Sequence, residues 1–140
     1  MLPSRILHID HIVLRVSDLP RSLAFYRDVL GCPVSRVRES LGMIHLAAGS
    51  SMIDLVAVDG PLGLKGGPAP GRQGHNLDHL CLRVEPFDEQ ALSDYLHGAG
   101  VRVEPAEKRY GAEGEGLSLY CFDPDGNRVE LKGPCVSVSA

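Results

Sequence analysis

Two short lines of the sequence carry a histidine in the same slot. "HIDHIVLRV" at residues 8–16 sets His11 after an aspartate, and "NLDHLCLRV" at residues 76–84 sets His79 after another. Successive side chains of a strand point to opposite faces. Ile12, Leu14 and Val16 therefore make the oily side of the first line, and His11 points away from them. Leu80, Leu82 and Val84 do the same for His79. Two later lines repeat a carboxylate. Asp54 in "MIDLV" stands between Ile53 and Leu55, and Glu130 in "RVELK" between Val129 and Leu131, so both acids turn to the polar face. Two imidazoles and two carboxylates around one point suit a divalent transition metal: Zn, Ni, Co, Mn or Fe(II). Two or three firm protein ligands leave positions for water and substrate, as catalysis requires. Asp is one methylene shorter than Glu. Asp54 is thus a ligand, or reaches the ion through a water, or serves as a base in place of a ligand.

A single strand histidine is more often structural than a ligand. The case for chemistry rests on four residues in equivalent slots of two copies. The other histidines lack that support: His8 precedes the strand, His75 ends a loop, and His97 sits in a last helical turn where it suits the helix dipole. His45 in "MIHLA" has an open assignment, either facing the cavity or structural. Asp10 and Asp78 precede the two key histidines and read as capping or surface residues. Arg15, Arg83, Arg128 and Lys132 read as solvated strand charges.

The elements that position these residues also come twice. After the first strand, "SDLPRSLAFYRDVLG" predicts a helix capped by Ser17 or Asp18, with Leu23, Tyr26 and Leu30 at helical spacing and Gly31 at its end. Three strand-like runs follow, "PVSRVRE", "MIHLAA" and "SMIDLVAV". After "NLDHLCLRV" comes a helix in "PFDEQALSDYLHGAG" with Leu92, Tyr95 and Leu96 inward, then strands in "VRVEPAEKRY", "GLSLYCF" and "NRVELKG", with "DPDG" as a turn. The chain is read as an α+β fold of two tandem βαβββ units whose curved sheets enclose a central cavity. It is one domain over residues 1–140: unit one about 6–58, unit two about 76–133. The intervening stretch 59–75, dense in Gly and Pro, reads as a linker or mobile loop, a candidate lid. The tail "PCVSVSA" reads as loosely held.

Composition narrows the classes. The chain of 140 residues is 44% hydrophobic and 23% charged, ordinary for a globular domain and contrary to disorder. A net charge of -4 without a basic patch argues against nucleic acid as partner. No apolar run reaches the length of a membrane span, and the N-terminus lacks a signal-peptide core, so a cytoplasmic location is expected. The four cysteines form no CxxC pair, which argues against a cysteine zinc site and for small buried or half-buried residues.

The openings "DHIVLRVSDLPRSLAFYRDVLG" and "DHLCLRV", with "FDPDGNRVEL" near the end, resemble the vicinal oxygen chelate superfamily over about residues 6–133. That superfamily includes glyoxalase I, bleomycin-resistance proteins, fosfomycin-resistance thiol transferases, methylmalonyl-CoA epimerase and extradiol dioxygenases. The stretch "KRYGAEGEGLSLYCFDPDGNRVEL" looks most like short glyoxalase I-like proteins of the single-metal type. The resemblance implies metal ligands at His11, His79 and Glu130. Glyoxalase I adds a fourth-strand glutamate, and here that position is Asp54, a departure. It implies a lactoylglutathione lyase-like enzyme on a small substrate chelated through vicinal oxygens. Glutathione would be part of the substrate, and Glu130 or Asp54 would move the proton. The alternative is extradiol cleavage of a catechol with Fe(II), for which Tyr110, Tyr120 or His45 would supply an acid or base. Third come a fosfomycin-type thiol transferase, drawing on the basic residues, and a bleomycin-type binding protein; the absence of Trp and the 5% aromatic content fit drug binding poorly. The resemblance also implies a homodimer.

Overall fold

A computed structural model describes residues 1–136 of the chain. They divide into two units, Met1–Pro70 and a second from Gly71 onward. The first contains strand β1 (His11–Val16), helix α1 (Leu19–Leu23) continued by a π-helical turn (Ala24–Val29), and strands β2 (Val34–Arg38), β3 (Met43–Ala48) and β4 (Ser51–Ala57). The second contains β5 (Leu80–Arg83), α2 (Glu89–Gly98), β6 (Glu107–Gly111), β7 (Gly114–Phe122) and β8 (Arg128–Lys132). This is the α+β class and the βαβββ repeat that the sequence predicts. Among the described residues, no helix is long and apolar enough to cross a membrane.

Each unit builds one four-stranded mixed sheet, and the two share a topology: β1-β4-β3-β2 and β5-β8-β7-β6. The first and last strands of each unit pair parallel, which requires a crossover connection; the helix and the intervening strands supply it. The remaining pairs are antiparallel. Alternation fixes which face is oily. Leu14, Val16, Ile44, Leu46, Ile53 and Leu55 are buried in unit one, and Leu119, Cys121, Val129 and Leu131 in unit two. At about 25 cal/mol per Å² of apolar surface removed from water, these rows hold the registers in place, since a one-residue slip would turn them outward.

Five local expectations need correction. The helix predicted over 17–31 is α-helical for only five residues and then widens to a π turn, with Leu30 N–H bonding to the Phe25 carbonyl at 3.0 Å. The wider turn lets two successive aromatics, Phe25 and Tyr26, both turn inward and meet edge to face at 4.9 Å. Its start is as expected, capped by Asp18 with Pro20 in the first turn. In α2, Leu96 is buried but Tyr95 is 54% exposed, so the inward stripe is narrower than its apolar residues suggested. The Gly/Pro-rich stretch is not loose throughout: Gly63–Gly66 is a 3-10 turn. The Arg15 guanidinium donates to four carbonyls there, those of Gly63 (2.9 Å), Gly66 (3.0 Å), Gly67 (2.7 Å) and Pro68 (3.1 Å). Arg15 is thus a clamp rather than a solvated charge, and a side chain at Gly66 would collide with it. The start of the tail is also held, because Val136 N–H bonds to the Glu115 carbonyl at 2.8 Å. The rest of the tail, residues 137–140, lies outside the described residues.

Candidate functional site

The polar faces of the two sheets are built by register. In unit two, Cys81, Glu130 and Tyr120 stand in one row across β5, β8 and β7. His79, two residues before Cys81, falls on the same face. The "DPDG" turn sets this row: Asp123 Oδ1 accepts from the backbone N–H of Asp125 (2.9 Å) and Asn127 (2.8 Å), which fixes the return from β7 into β8. In unit one the corresponding row is Val13, Asp54 and His45 across β1, β4 and β3, with His11 two residues before Val13.

Unit two brings two of the expected ligands together. His79 Nε2 stands 3.1 Å from Glu130 Oε1. The other ring nitrogen, Nδ1, is 2.6 Å from Asp78 Oδ1, where it donates to the carboxylate. If that bond holds the proton on Nδ1, the neutral ring turns the Nε2 lone pair toward Glu130, and two acceptors then face each other. Only a cation between them, a proton or a metal ion, relieves that repulsion. Two donors each about 2.1 Å from a tetrahedral ion stand roughly 3.4 Å apart, so the pair suits a shared divalent metal. The carboxylate behind the imidazole is the partner that fixes tautomer and ring orientation in metal-binding histidines. Tyr120 packs edge-on against His79 with ring centroids 5.6 Å apart, and the Arg109 and Arg128 guanidinium groups lie over the Tyr120 ring at 4.2 and 5.0 Å.

Unit one repeats half of this. His11 Nδ1 is 2.6 Å from Asp10 Oδ1, again leaving Nε2 free. That bond, with a further contribution from the Asp54 charge, raises the His11 pKa above its ordinary value. In the second unit the same kind of bond from His79 lowers the Asp78 carboxyl. Asp54 is only 2% exposed, and its Oδ1 is 2.9 Å from His45 Nδ1, an ion-pair contact off the line of a good hydrogen bond. His45 therefore shares the polar face with Asp54. Among the described residues, no three His, Cys, Asp or Glu donors gather into one metal-binding cluster.

Sequence reasoning undervalued three residues. Asp10 and Asp78 are exposed, as expected, but each holds a key imidazole. The repeated Asp-His step was the available signal. His45 was readable by the rule that placed Asp54, since Ile44 and Leu46 flank it and both are buried. Cys81 shares the face with Glu130; the residue is exposed at the sheet edge, but desolvation of its thiol, with the Glu130 charge beside it, pushes it up to about 11. It is held as a thiol, not as a reactive thiolate.

A duplicated mixed sheet that turns a histidine and an acid from each copy to its polar face defines a class of proteins. Residues 8–131 match the model of the Glyoxalase/Bleomycin resistance protein/Dioxygenase superfamily, and the chain belongs to that family. It is 34% identical over 123 residues to virulence protein STM3117 of Salmonella typhimurium, covering 88% of this chain and 81% of that protein. The crystal structure of that protein superposes with a TM-score of 0.76, covering 94% of this chain and all of the other. An ethylmalonyl-CoA/methylmalonyl-CoA epimerase of Cereibacter sphaeroides is 32% identical over 134 residues, covering 89% of this chain and 96% of that protein. A lactoylglutathione lyase of Salmonella typhimurium is 28% identical over 125 residues, covering 86% and 88%. The family's relatives thus include enzymes of more than one activity.

Proposed function

We propose that this chain is a divalent-metal-dependent enzyme that moves a proton on a small substrate chelated through vicinal oxygens, in the manner of a lactoylglutathione lyase. The observation that carries the reading is the His79–Glu130 pair, 3.1 Å apart with the far side of the imidazole held by Asp78. The proposed ligands are His79, Glu130 and His11, the last held by Asp10 as His79 is by Asp78. A bound ion would supply a Lewis acid that polarises the chelated carbonyl. Asp54, buried against His45, is then the proton-transfer group rather than a ligand. Tyr120, edge-on against His79, limits the ways the ring can turn. A cytoplasmic homodimer with glutathione as part of the substrate belongs to the same reading.

A second reading, epimerisation of an acyl-CoA ester, is favoured by the 32% identical epimerase. A third, Fe(II)-dependent ring cleavage, shares the two-histidine, one-carboxylate ligand set. The test begins with metal analysis of protein purified without chelator. Turnover of methylglyoxal with glutathione, epimerisation of a methylmalonyl-CoA ester, and O2 uptake with catechol under Fe(II) are then measured side by side. Bound Zn, Ni or Co with lyase turnover supports the main reading. Iron with O2 uptake replaces it with ring cleavage, and epimerisation alone replaces it with the second reading. Protein that holds no metal and turns over none of the three overturns the enzyme assignment.

A further inference from the structure

Lys132 lies two residues beyond Glu130 on the same face of β8, opposite Ser118 of β7. It is 4% exposed, where lysine is almost never found unless paired. Among the described residues its ammonium makes no hydrogen bond or ion pair. The other cations of this face are occupied. Arg83 pairs with Glu113 and Glu85, and Arg109 donates to the Ser118 carbonyl (2.7 Å) and Oγ (3.0 Å). The Lys132 stem runs across the sheet over Gly116 and Gly111. A Cβ at Gly111 would stand 2.9 Å from Lys132 Cε, and one at Gly116 would stand 3.2 Å from Nζ. Pro134 and Cys135 pack over Gly116 and Gly114 and wall the far side. The chain therefore keeps glycine at two strand positions where the buried stem of one cation passes, on the face that holds Glu130 and Cys81. A Met of similar length would fill the same space without the desolvation cost.

We propose that Lys132 is the anchor for an anionic group of the substrate, a carboxylate or phosphoryl oxyanion, on the unit-two face beside Glu130. The inference rests on the reading of that face as the substrate face, and it makes the substrate an anion. A charge-assisted bond from a half-desolvated ammonium to an oxyanion is among the stronger single contacts a site can offer.

The test titrates the full chain with inorganic phosphate and, separately, with acetate, at ionic strength held constant with chloride. Binding is followed by calorimetry and by the NMR signals of the Lys132 side chain. Saturable binding of either anion with movement of those signals is expected, and the stronger of the two identifies the oxyanion. Lys132→Met should weaken it at least about tenfold, while Lys132→Arg keeps most of it. Lys132→Met should also melt no lower than the parent. The proposal is overturned if the parent binds neither anion saturably, if the Lys132 signals stay still during binding, or if Lys132→Met binds as well as the parent. Metal content is read on the same samples. Loss of metal binding with anion binding intact would remove the proposed function and leave the anchor; the reverse would remove only the anchor.

Discussion

Arg15→Met removes the clamp on residues 63–68 while keeping most of the side-chain stem. Four hydrogen bonds to carbonyls are lost, those to Gly63, Gly66, Gly67 and Pro68. A bond to a charged donor is worth about 1.5–3 kcal/mol when buried, but three of these are exposed, so about 1 kcal/mol each is the better scale. The four share one side chain and are not independent. The set therefore stabilises the turn by about 2–3 kcal/mol, and its loss should raise local opening roughly 30- to 150-fold. Trypsin reads this directly. Lys65 lies inside the clamped 3-10 turn, and Arg72 lies beyond it in the same Gly-rich stretch. Cleavage at Arg72 is thus an internal control on the same molecule. In the parent, Arg72 is cut first; in Arg15→Met, the rate at Lys65 relative to Arg72 rises by the factor above. A ratio unchanged within about threefold would refute the clamp. A parallel rise at both sites would show global destabilisation instead.

Two further outcomes follow from the site. Asp78→Ala leaves the His79 ring without the partner that orients it, so retained metal should fall by about 10- to 100-fold in affinity, measured by competition with a chelator, while the thermal midpoint moves little because Asp78 is exposed. The Cys81 thiol, pushed up to about 11 against an ordinary 9.0, should resist iodoacetamide at pH 8 and react only as the pH nears 11. Because the folded state holds that proton more tightly than the unfolded chain, the associated stability is fully present below pH 9 and is lost as the pH rises toward 11. Alkylation rates against pH, with Cys81→Ser as the blank, check both points.

The repeat and the sheet faces were legible because each depends on a period-two pattern written in aliphatic residues. Leu14 and Val16 flank one histidine line, and Val129 and Leu131 flank the last acid; burial of the first kind of residue dictates exposure of the second. Less legible features arise from pairings distant in sequence. Nothing around Arg15 announces that its guanidinium will meet carbonyls some fifty residues on, because backbone carbonyls carry no side-chain signature. The π turn was hidden for a different reason. Its residues keep helical spacing, and the wider turn goes with the joint burial of Phe25 and Tyr26, which spacing alone does not announce.

Duplication supplies a scaffold, and the chemistry comes from where the copies have diverged. The registers equate Glu130 with Asp54, Tyr120 with His45, Cys81 with Val13 and Lys132 with Val56. Each substitution changes what the slot can do. The longer acid of unit two reaches His79 Nε2, whereas the shorter acid of unit one meets His45 instead. The apolar Val56 is buried without cost where unit two buries an ammonium. If both faces served one metal symmetrically, matched residues would be expected throughout. The mismatch leaves the His79–Glu130 pair and the buried Lys132 in unit two, and the buried Asp54–His45 pair in unit one. Under the proposed function, the unit-two pair would hold the ion and Lys132 the anionic group, while Asp54 would move the proton, so each divergent slot would have its own task.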